Sequence, residues 1–104
     1  MKIVKITNTK ILFDTKDRIT YDHLQACCEH NYADFQQIDD IAKETIFENP
    51  LSFEPVPGYG FRFGNKNKMF FVPCYSDQNG YYSSNVDIYY NDKLVVSTFG
   101  EMHD

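Results

Sequence analysis

The residues best suited to chemistry lie close together in one stretch of the sequence, His23–His30. This stretch holds two histidines, two adjacent cysteines and an acid, Glu29. Thiolate, imidazole and carboxylate groups are the side chains that bind zinc, and a cysteine beside a histidine is a pairing used in nucleophilic catalysis. Two chemistries are therefore weighed first: a metal site and a reactive thiol.

The spacing of the cysteines argues against a metal site. Paired cysteines in structural zinc sites are usually separated by two to four residues, which lets both sulfurs face one ion. Cys27 and Cys28 are adjacent, so at most one of them would bind a metal together with His23 or His30, with Cys74 arriving from elsewhere in the chain. A nucleophilic Cys28 would also need an orienting group and an oxyanion pocket. The sequence predicts no metal, no cofactor and no catalytic residue, and a thiol- or metal-dependent site at Cys27, Cys28 and His30 is the alternative function.

Tyrosines are the stronger candidates for function. Tyr81 and Tyr82 directly follow the turn signal Asn79-Gly80, and Tyr59 lies in a segment rich in proline and glycine. Tyrosine offers a large contact area at a low entropy cost, together with a polar tip. We therefore expect Tyr59, Asn79, Tyr81 and Tyr82 to contribute to a protein-binding surface, whereas Tyr90 is expected to pack across the sheet.

The first element that would position these residues is a three-stranded antiparallel meander over residues 2–22. A two-residue turn at residues 8–9 and a three-residue loop at residues 15–17 connect its strands. The resulting cross-strand pairs are Val4 with Phe13, Ile6 with Ile11, Phe13 with Ile19, Ile11 with Tyr21, and Asp14 with Arg18. Both turns place the apolar partners on one face, which predicts the inward side of the meander.

The remaining segments predict one helix among further strands. Residues 22–34 are predicted to form a turn that leads into a short strand. Residues 36–47 have Ile38, Ile41 and Ala42 at helical spacing, with acids on the opposite side, which predicts a short amphipathic helix. Residues 49–60 are expected to form a constrained loop or an edge segment that pairs poorly.

The C-terminal part predicts a central strand and a hairpin. Residues 68–75 are apolar on both faces, and Pro73 is expected to mark the edge or end of that strand. Residues 85–99 predict a hairpin with a three-residue loop at residues 91–93, which pairs Val86 with Thr98, Ile88 with Val96 and Tyr90 with Leu94. Residues 101–104 are expected to form a frayed tail. The fold class is α+β, predominantly antiparallel sheet with one short helix near 36–47, in a single domain over 1–104.

Charge and hydropathy exclude several function classes. The chain has fifteen acidic and ten basic residues, giving a net charge of −5, which argues against gripping a nucleic-acid backbone. No apolar run approaches the length needed to span a bilayer, and no signal peptide is visible. The three cysteines suit no disulfide framework. We expect a cytoplasmic protein with reduced thiols that binds neither nucleic acid nor membrane.

Two motifs together resemble a known family. The first is Gln25-x-Cys27-Cys28-Glu29, after the meander, and the second is the later Asn79-Gly80-Tyr81-Tyr82-Ser83. This combination resembles a family of small uncharacterised proteins carried by bacteriophages and prophages, over roughly residues 8–90. The family often has an acid where this chain has Ala26, and an apolar residue where it has His30. The resemblance implies a phage or mobile-element setting and no mechanism.

The leading interpretation is a small non-enzymatic phage or mobile-element protein that binds a host or phage protein. Inhibition of a host defence system, including an anti-CRISPR role, is its sharpest form. The thiol- or metal-dependent site is the second interpretation, and a homodimer joined through an unpaired edge strand is the third.

Overall fold

The structure is a computed structural model, and it describes residues 1–22, 30–77 and 85–103. Within these ranges the chain forms ten strands, one α-helix and a 3₁₀ turn. The strands are β1 (Ile3–Ile6), β2 (Lys10–Phe13), β3 (Arg18–Tyr21), β4 (His30–Ala33), β5 (Ser52–Val56), β6 (Gly60–Asn65), β7 (Lys68–Asp77), β8 (Asn85–Tyr90), β9 (Lys93–Phe99) and β10 (Glu101–His103). The helix α1 covers Asp40–Glu44, and the 3₁₀ turn covers Phe35–Gln37.

The strands form two sheets that are almost entirely antiparallel, which confirms the predicted fold class. The first sheet has the order β1-β2-β3-β8-β9, and the second contains β5, β6 and β7 in series. The C-terminal half of β7 also pairs with β4 and with β10. Because Tyr75 of β7 pairs with both Tyr32 of β4 and Glu101 of β10, these two strands lie on opposite edges of β7.

A core of aromatic side chains joins the two sheets. The ring of Phe47 lies 5.7 Å from those of Phe13 in the first sheet and of Phe63 and Phe70 in the second. Phe13, Phe47 and Phe63 are at most 1% exposed. Burying each such ring stabilises the fold by about 1.5–3 kcal/mol relative to exposure, so the segment that carries Phe47 is held firmly between the sheets.

The predicted meander is present, but its second register is wrong. The loop between β2 and β3 is residues 14–16, one position earlier than predicted, because Phe13 N–H donates to Asp17 O at 2.9 Å. Lys16 has a φ of 72°, the left-handed position expected at the end of a three-residue hairpin loop. Ile11 therefore pairs with Ile19. The prediction paired Ile11 with Tyr21, so the observed register differs by two residues in β3. Because side chains alternate with a period of two, the same side chains still face inward.

The first pair of strands contains a bulge that the sequence pattern does not reveal. Ile6 pairs with Ile11, as predicted, but Ile3 pairs with Phe13, and the register shifts between Ile3 and Lys5. Val4 is consequently 59% exposed instead of facing the core. A bulge inserts one extra residue on one strand and redirects its side chains.

The predicted ion pair between Asp14 and Arg18 is also wrong. Arg18 pairs with Leu12 in the ladder, and its guanidinium binds Asp92 in the turn between β8 and β9.

The predicted helix over 36–47 is shortened to α1. The Asp39 carboxylate caps its start by accepting from Ile41 N–H at 2.9 Å, and Thr45 is already extended, with φ −83° and ψ 140°. Beyond it, Phe47 N–H donates to Met1 O at 2.8 Å. Continuing the helix would break that contact and withdraw the Phe47 ring from the core.

The faces of this segment are therefore only partly as predicted. Ile38 and Ala42 are buried, in agreement with the periodicity, whereas Ile41 is 51% and Ile46 71% exposed. Ile38 and Ile46 lie outside α1, where helical periodicity does not decide which side chains face the core, and the single turn of α1 buries only Ala42.

Two proline-containing segments pair more fully than predicted. β5 is an edge strand, as one reading of residues 49–60 expected, but all five of its residues pair with β6. An edge strand tolerates Pro55 because the missing N–H faces away from the ladder. β7 continues through Pro73 to Asp77, since the Pro73 carbonyl still accepts from Asp34 N–H at 2.8 Å.

The last hairpin reaches the predicted faces by a different turn. Its loop is the two residues Asn91-Asp92, both with positive φ (52° and 70°), as in a type I′ turn, and the predicted three-residue loop is wrong. A register shift between Ile88 and Tyr89 absorbs the extra residue. The predicted pairs Val86 with Thr98 and Ile88 with Val96 are confirmed, while Leu94 pairs with Tyr89 instead of Tyr90.

The predicted frayed tail is a strand. Glu101–His103 forms β10 and pairs in parallel with Tyr75–Asp77. Among the helical residues that the structure describes, no helix is long and apolar enough to cross a membrane.

Candidate protein-binding surface

Most of the predicted site residues lie outside the described ranges. They are His23, Gln25, Cys27, Cys28 and Glu29 of the first motif and Asn79, Tyr81 and Tyr82 of the second. His30 and Tyr59 are described.

The described residues that flank these two motifs lie together at one end of the molecule. Asp22 N–H donates to Asp87 O at 3.0 Å, which extends the pairing of β3 with β8. On the other sheet, His30 of β4 pairs with Asp77 of β7. Segments 23–29 and 78–84 therefore join the fold at the same end, although they are far apart in the sequence.

A buried polar contact fixes this end. Asn31 and Ser76 are 1% and 0% exposed, and the Ser76 hydroxyl donates to the Asn31 side-chain oxygen. Asn31 Nδ2 in turn donates to the backbone carbonyl of Asn85 at 3.2 Å. Because buried polar groups are costly unless they are paired, this contact holds β4, β7 and the start of β8 in one arrangement.

Three rings on the outer face of β4 and β7 form a row, which we call the aromatic row: His30, Tyr32 and Tyr75. The rings of His30 and Tyr32 are stacked, with centroids 4.8 Å apart and planes at 24°. The Tyr32 and Tyr75 rings lie 5.6 Å apart. Alternation along β4 points Asn31 and Ala33 into the core, so the row faces outward.

A cleft of about 340 Å³ lies beside β4. The described residues that line it are Asn8, Tyr21, His30, Tyr32, Ala33, Asp34 and Gln36. We call it the β4 cleft. Two of the three rings of the aromatic row, those of His30 and Tyr32, form part of its wall.

Two carboxylates make the surroundings of the row negative. Asp77 Oδ2 lies 3.6 Å from His30 Nδ1, with both side chains largely exposed, and Asp34 lines the cleft. Gln37 Nε2 donates to Asp34 Oδ2 at 2.6 Å, which orients that carboxylate and leaves it able to accept further hydrogen bonds.

The pKa of Tyr32 is raised by burial and, to a smaller extent, by the two carboxylates. Burial is the largest cause that raises the pKa of the Tyr32 phenol, and the charges of Asp77 and Asp34 raise it further. Both carboxylates therefore act on the same ring. A negative potential next to exposed ring surface favours a cationic ligand.

Cys74 is not positioned to take part in the cysteine or metal chemistry considered from the sequence. Cys74 is fully buried and pairs with Ala33 on the inner face of the second sheet, whereas His30 faces outward. Burial raises the pKa of the Cys74 thiol to about 12, so it is not a reactive thiol. Cys74 is therefore not placed to join His30 around a metal, the arrangement weighed in the alternative function, and the described residues contain no group of three or more metal-binding side chains.

The two other tyrosines considered from sequence differ in exposure. Tyr59 is 62% exposed in the turn between β5 and β6, and its role in binding stays a prediction. Tyr90 packs on Phe53 with ring centroids 5.6 Å apart, and its hydroxyl donates to Asn49 Oδ1 at 2.6 Å, which confirms the packing role.

Sequence reasoning missed Tyr32, Tyr75, Asp34 and Asp77 as members of one surface. They come from two segments about forty residues apart, and only the pairing of β4 with β7 brings them together. The available signal was local: His30 and Tyr32 are two residues apart, which places them on one face of a strand. Comparison of the chain with protein families, curated proteins and solved structures found no match.

Proposed function

We propose that this protein is a non-enzymatic binding domain that docks on another protein through the aromatic row and the β4 cleft. The observation that supports it is the row of three contacting rings, with His30 exposed and Tyr32 and Tyr75 half-buried. Carboxylates flank this row, and the Asn31–Ser76 contact holds its face rigid. Aromatic side chains are enriched at protein interfaces because they contribute a large contact area with few rotatable bonds. Inhibition of a host defence protein is the narrower form of the proposal, and it rests on the sequence resemblance.

The described residues that flank the two motifs support the same surface. His30 follows the first motif and belongs to the aromatic row, and Asp77 precedes the second motif and pairs with His30. The proposal therefore makes the row and Tyr81 with Tyr82 parts of one interface.

The test is capture of a partner from phage-infected bacteria on the immobilised protein, with matched variants. Tyr32→Ala/Tyr75→Ala removes two rings of the row, and Tyr81→Ala/Tyr82→Ala removes the pair predicted from sequence. Tyr59→Ala tests the binding role predicted for that residue from the sequence. Leu94→Ala is the control, since Leu94 is an exposed apolar residue of β9 that does not line the cleft. Circular dichroism and thermal unfolding establish that each variant is folded.

We expect one protein to be recovered by the native chain and by Leu94→Ala, and to be lost with either double variant. Equal recovery by Tyr32→Ala/Tyr75→Ala would exclude the row as the contact surface. Recovery of a second copy of the chain alone would replace the proposal with the homodimer alternative.

A further inference from the structure

The β4 cleft combines two features that together select a particular kind of side chain. Ring surface lines it at His30 and Tyr32, and the Asp34 carboxylate is oriented by Gln37. The described lining contains no lysine and no arginine, so none of these described residues places a permanent positive charge beside Asp34.

From this combination we infer that the β4 cleft receives an arginine side chain of the partner protein, an inference that rests on the proposed function. The guanidinium is planar, so it stacks on ring surface and at the same time donates to a carboxylate. A lysine ammonium is a compact, strongly hydrated point charge. It can donate to a carboxylate, but it gains less from contact with ring surface. The cleft's volume of about 340 Å³ is enough for one long side chain and too small for a folded element.

Charge complementarity extends beyond the cleft. Asp77 lies beside His30, and Glu101 pairs with Tyr75 at the other edge of β7, so acids border the row on both sides. The chain as a whole carries a net charge of −5. A basic segment of the partner, with one arginine seated in the cleft, matches this distribution of charge.

The test is isothermal titration of the purified full chain with short blocked peptides. One peptide alternates glycine with arginine, a second replaces each arginine with lysine, and a third replaces each with glutamate. Three variants separate the causes. Tyr32→Leu removes the ring and keeps bulk, and Asp34→Asn removes the oriented carboxylate. Asp40→Asn changes the net charge by the same amount on the exposed surface of α1.

We expect the arginine peptide to bind with a dissociation constant of about 10⁻⁴ M and about fivefold more tightly than the lysine peptide. Tyr32→Leu and Asp34→Asn should each weaken it about tenfold, while Asp40→Asn leaves it within twofold. Unfolding curves of the variants confirm that a loss is not caused by misfolding.

Three results would overturn the inference. They are absence of binding by the arginine peptide, equal binding of the arginine and lysine peptides, and equal weakening by Asp40→Asn and Asp34→Asn, which would indicate diffuse attraction by net charge. None of them bears on the capture experiment. A partner lost with Tyr32→Ala/Tyr75→Ala but without arginine selectivity keeps the proposed function and removes only this inference.

Discussion

At the scale of single residues, Cys74 shows how burial decides chemistry. The thiol is fully buried, and desolvation raises its pKa to about 12 from an ordinary value of 9.0. Because the thiolate is the reactive species, we expect Cys74 to react with a thiol reagent at pH 8 about 10³-fold more slowly in the folded protein than in the unfolded chain.

The measurement is labelling of a Cys27→Ser/Cys28→Ser variant, in which Cys74 is the only cysteine, with and without denaturant. The slow reaction in the folded state and the fast reaction in denaturant are both required. Rapid labelling of the folded variant would show that β7 opens readily around Cys74.

Asp17 is the residue from which we expect the clearest pH dependence. Its carboxylate accepts from Thr15 Oγ1 at 2.6 Å, Asn91 Nδ2 at 2.8 Å and Asn49 Nδ2 at 3.1 Å. These hydrogen bonds, led by that of Thr15, lower the pKa of Asp17 from its ordinary value of 3.8. A lowered folded-state pKa means that the ionised form stabilises the fold, so the contribution is present above the unfolded pKa and disappears as the pH falls through the folded one.

We therefore expect Asp17→Asn to lower the free energy of unfolding by about 1 kcal/mol at pH 7. An asparagine retains one acceptor oxygen, but its amide replaces the other oxygen and faces either the donor of Asn91 or the donors of Thr15 and Asn49. Urea unfolding of both proteins from pH 7 to pH 2 should show this difference shrinking below about pH 4. A difference that grows towards low pH would contradict the assignment.

At the scale of elements, the packing of β6 against β7 depends on the absence of a side chain at Gly60. A Cβ at this position would lie 2.1 Å from the Val72 carbonyl oxygen, and Gly60 has a φ of +155°. We expect Gly60→Ala to cost about 3 kcal/mol, since backbone atoms of two paired strands would have to separate.

Gly58 is the matched control for this substitution, only two residues away. Its φ is +86°, yet nothing lies within 4 Å of an added Cβ, so Gly58→Ala should cost only the conformational penalty of about 1–2 kcal/mol. Equal losses in the two variants, measured by urea unfolding, would show that close approach of β6 and β7 contributes nothing beyond backbone conformation.

Elements were predictable from sequence where a local pattern determines them. The inward face of the meander follows from alternation, and it tolerates the slipped loop because Ile11 and Ile19 keep their parity. The existence of the final hairpin and the faces of its strands were predictable, but its two-residue turn and the bulge at Ile88 and Tyr89 were not. A bulge and a longer loop place the flanking residues on the same faces.

The features that were not predicted from the sequence depend on contacts between residues far apart in the chain. The parallel partnership of β10 with β7 and the end of α1 both depend on contacts with distant residues, such as that of Phe47 with Met1. The same limit applies to the candidate surface. His30 belonged to a recognised motif, but its neighbours Tyr75 and Asp77 come from β7, and no local pattern connects them.

At the scale of the whole molecule, a buried hydrogen bond connects β9 of the first sheet with β6 of the second. Thr98 of β9, 1% exposed, donates from its hydroxyl to the Gly60 carbonyl of β6 at 2.6 Å. Gly58 N–H donates to Phe99 O at 3.0 Å close by. Together with the Phe47 ring between the sheets, these contacts predict that both sheets unfold in one step.

We expect Thr98→Val, which keeps the shape and removes the hydroxyl, to lower the free energy of unfolding by about 1–3 kcal/mol because the Gly60 carbonyl loses this buried partner. Ser97→Ala is the control. The Ser97 hydroxyl donates to the Asp87 carboxylate at 2.7 Å on the exposed side, and its loss should cost less than about 0.5 kcal/mol.

The decisive measurement compares one probe in each sheet, because a loss of stability alone does not show that the sheets are coupled. Hydrogen exchange of the β3 amides reports on the first sheet, and labelling of Cys74 in the Cys27→Ser/Cys28→Ser background reports on the second. If the chain is one cooperative domain, Thr98→Val lowers the opening free energies at both probes by the same amount. A loss confined to the Cys74 probe would mean that the second sheet opens by itself, and the single-domain prediction from sequence would then fail.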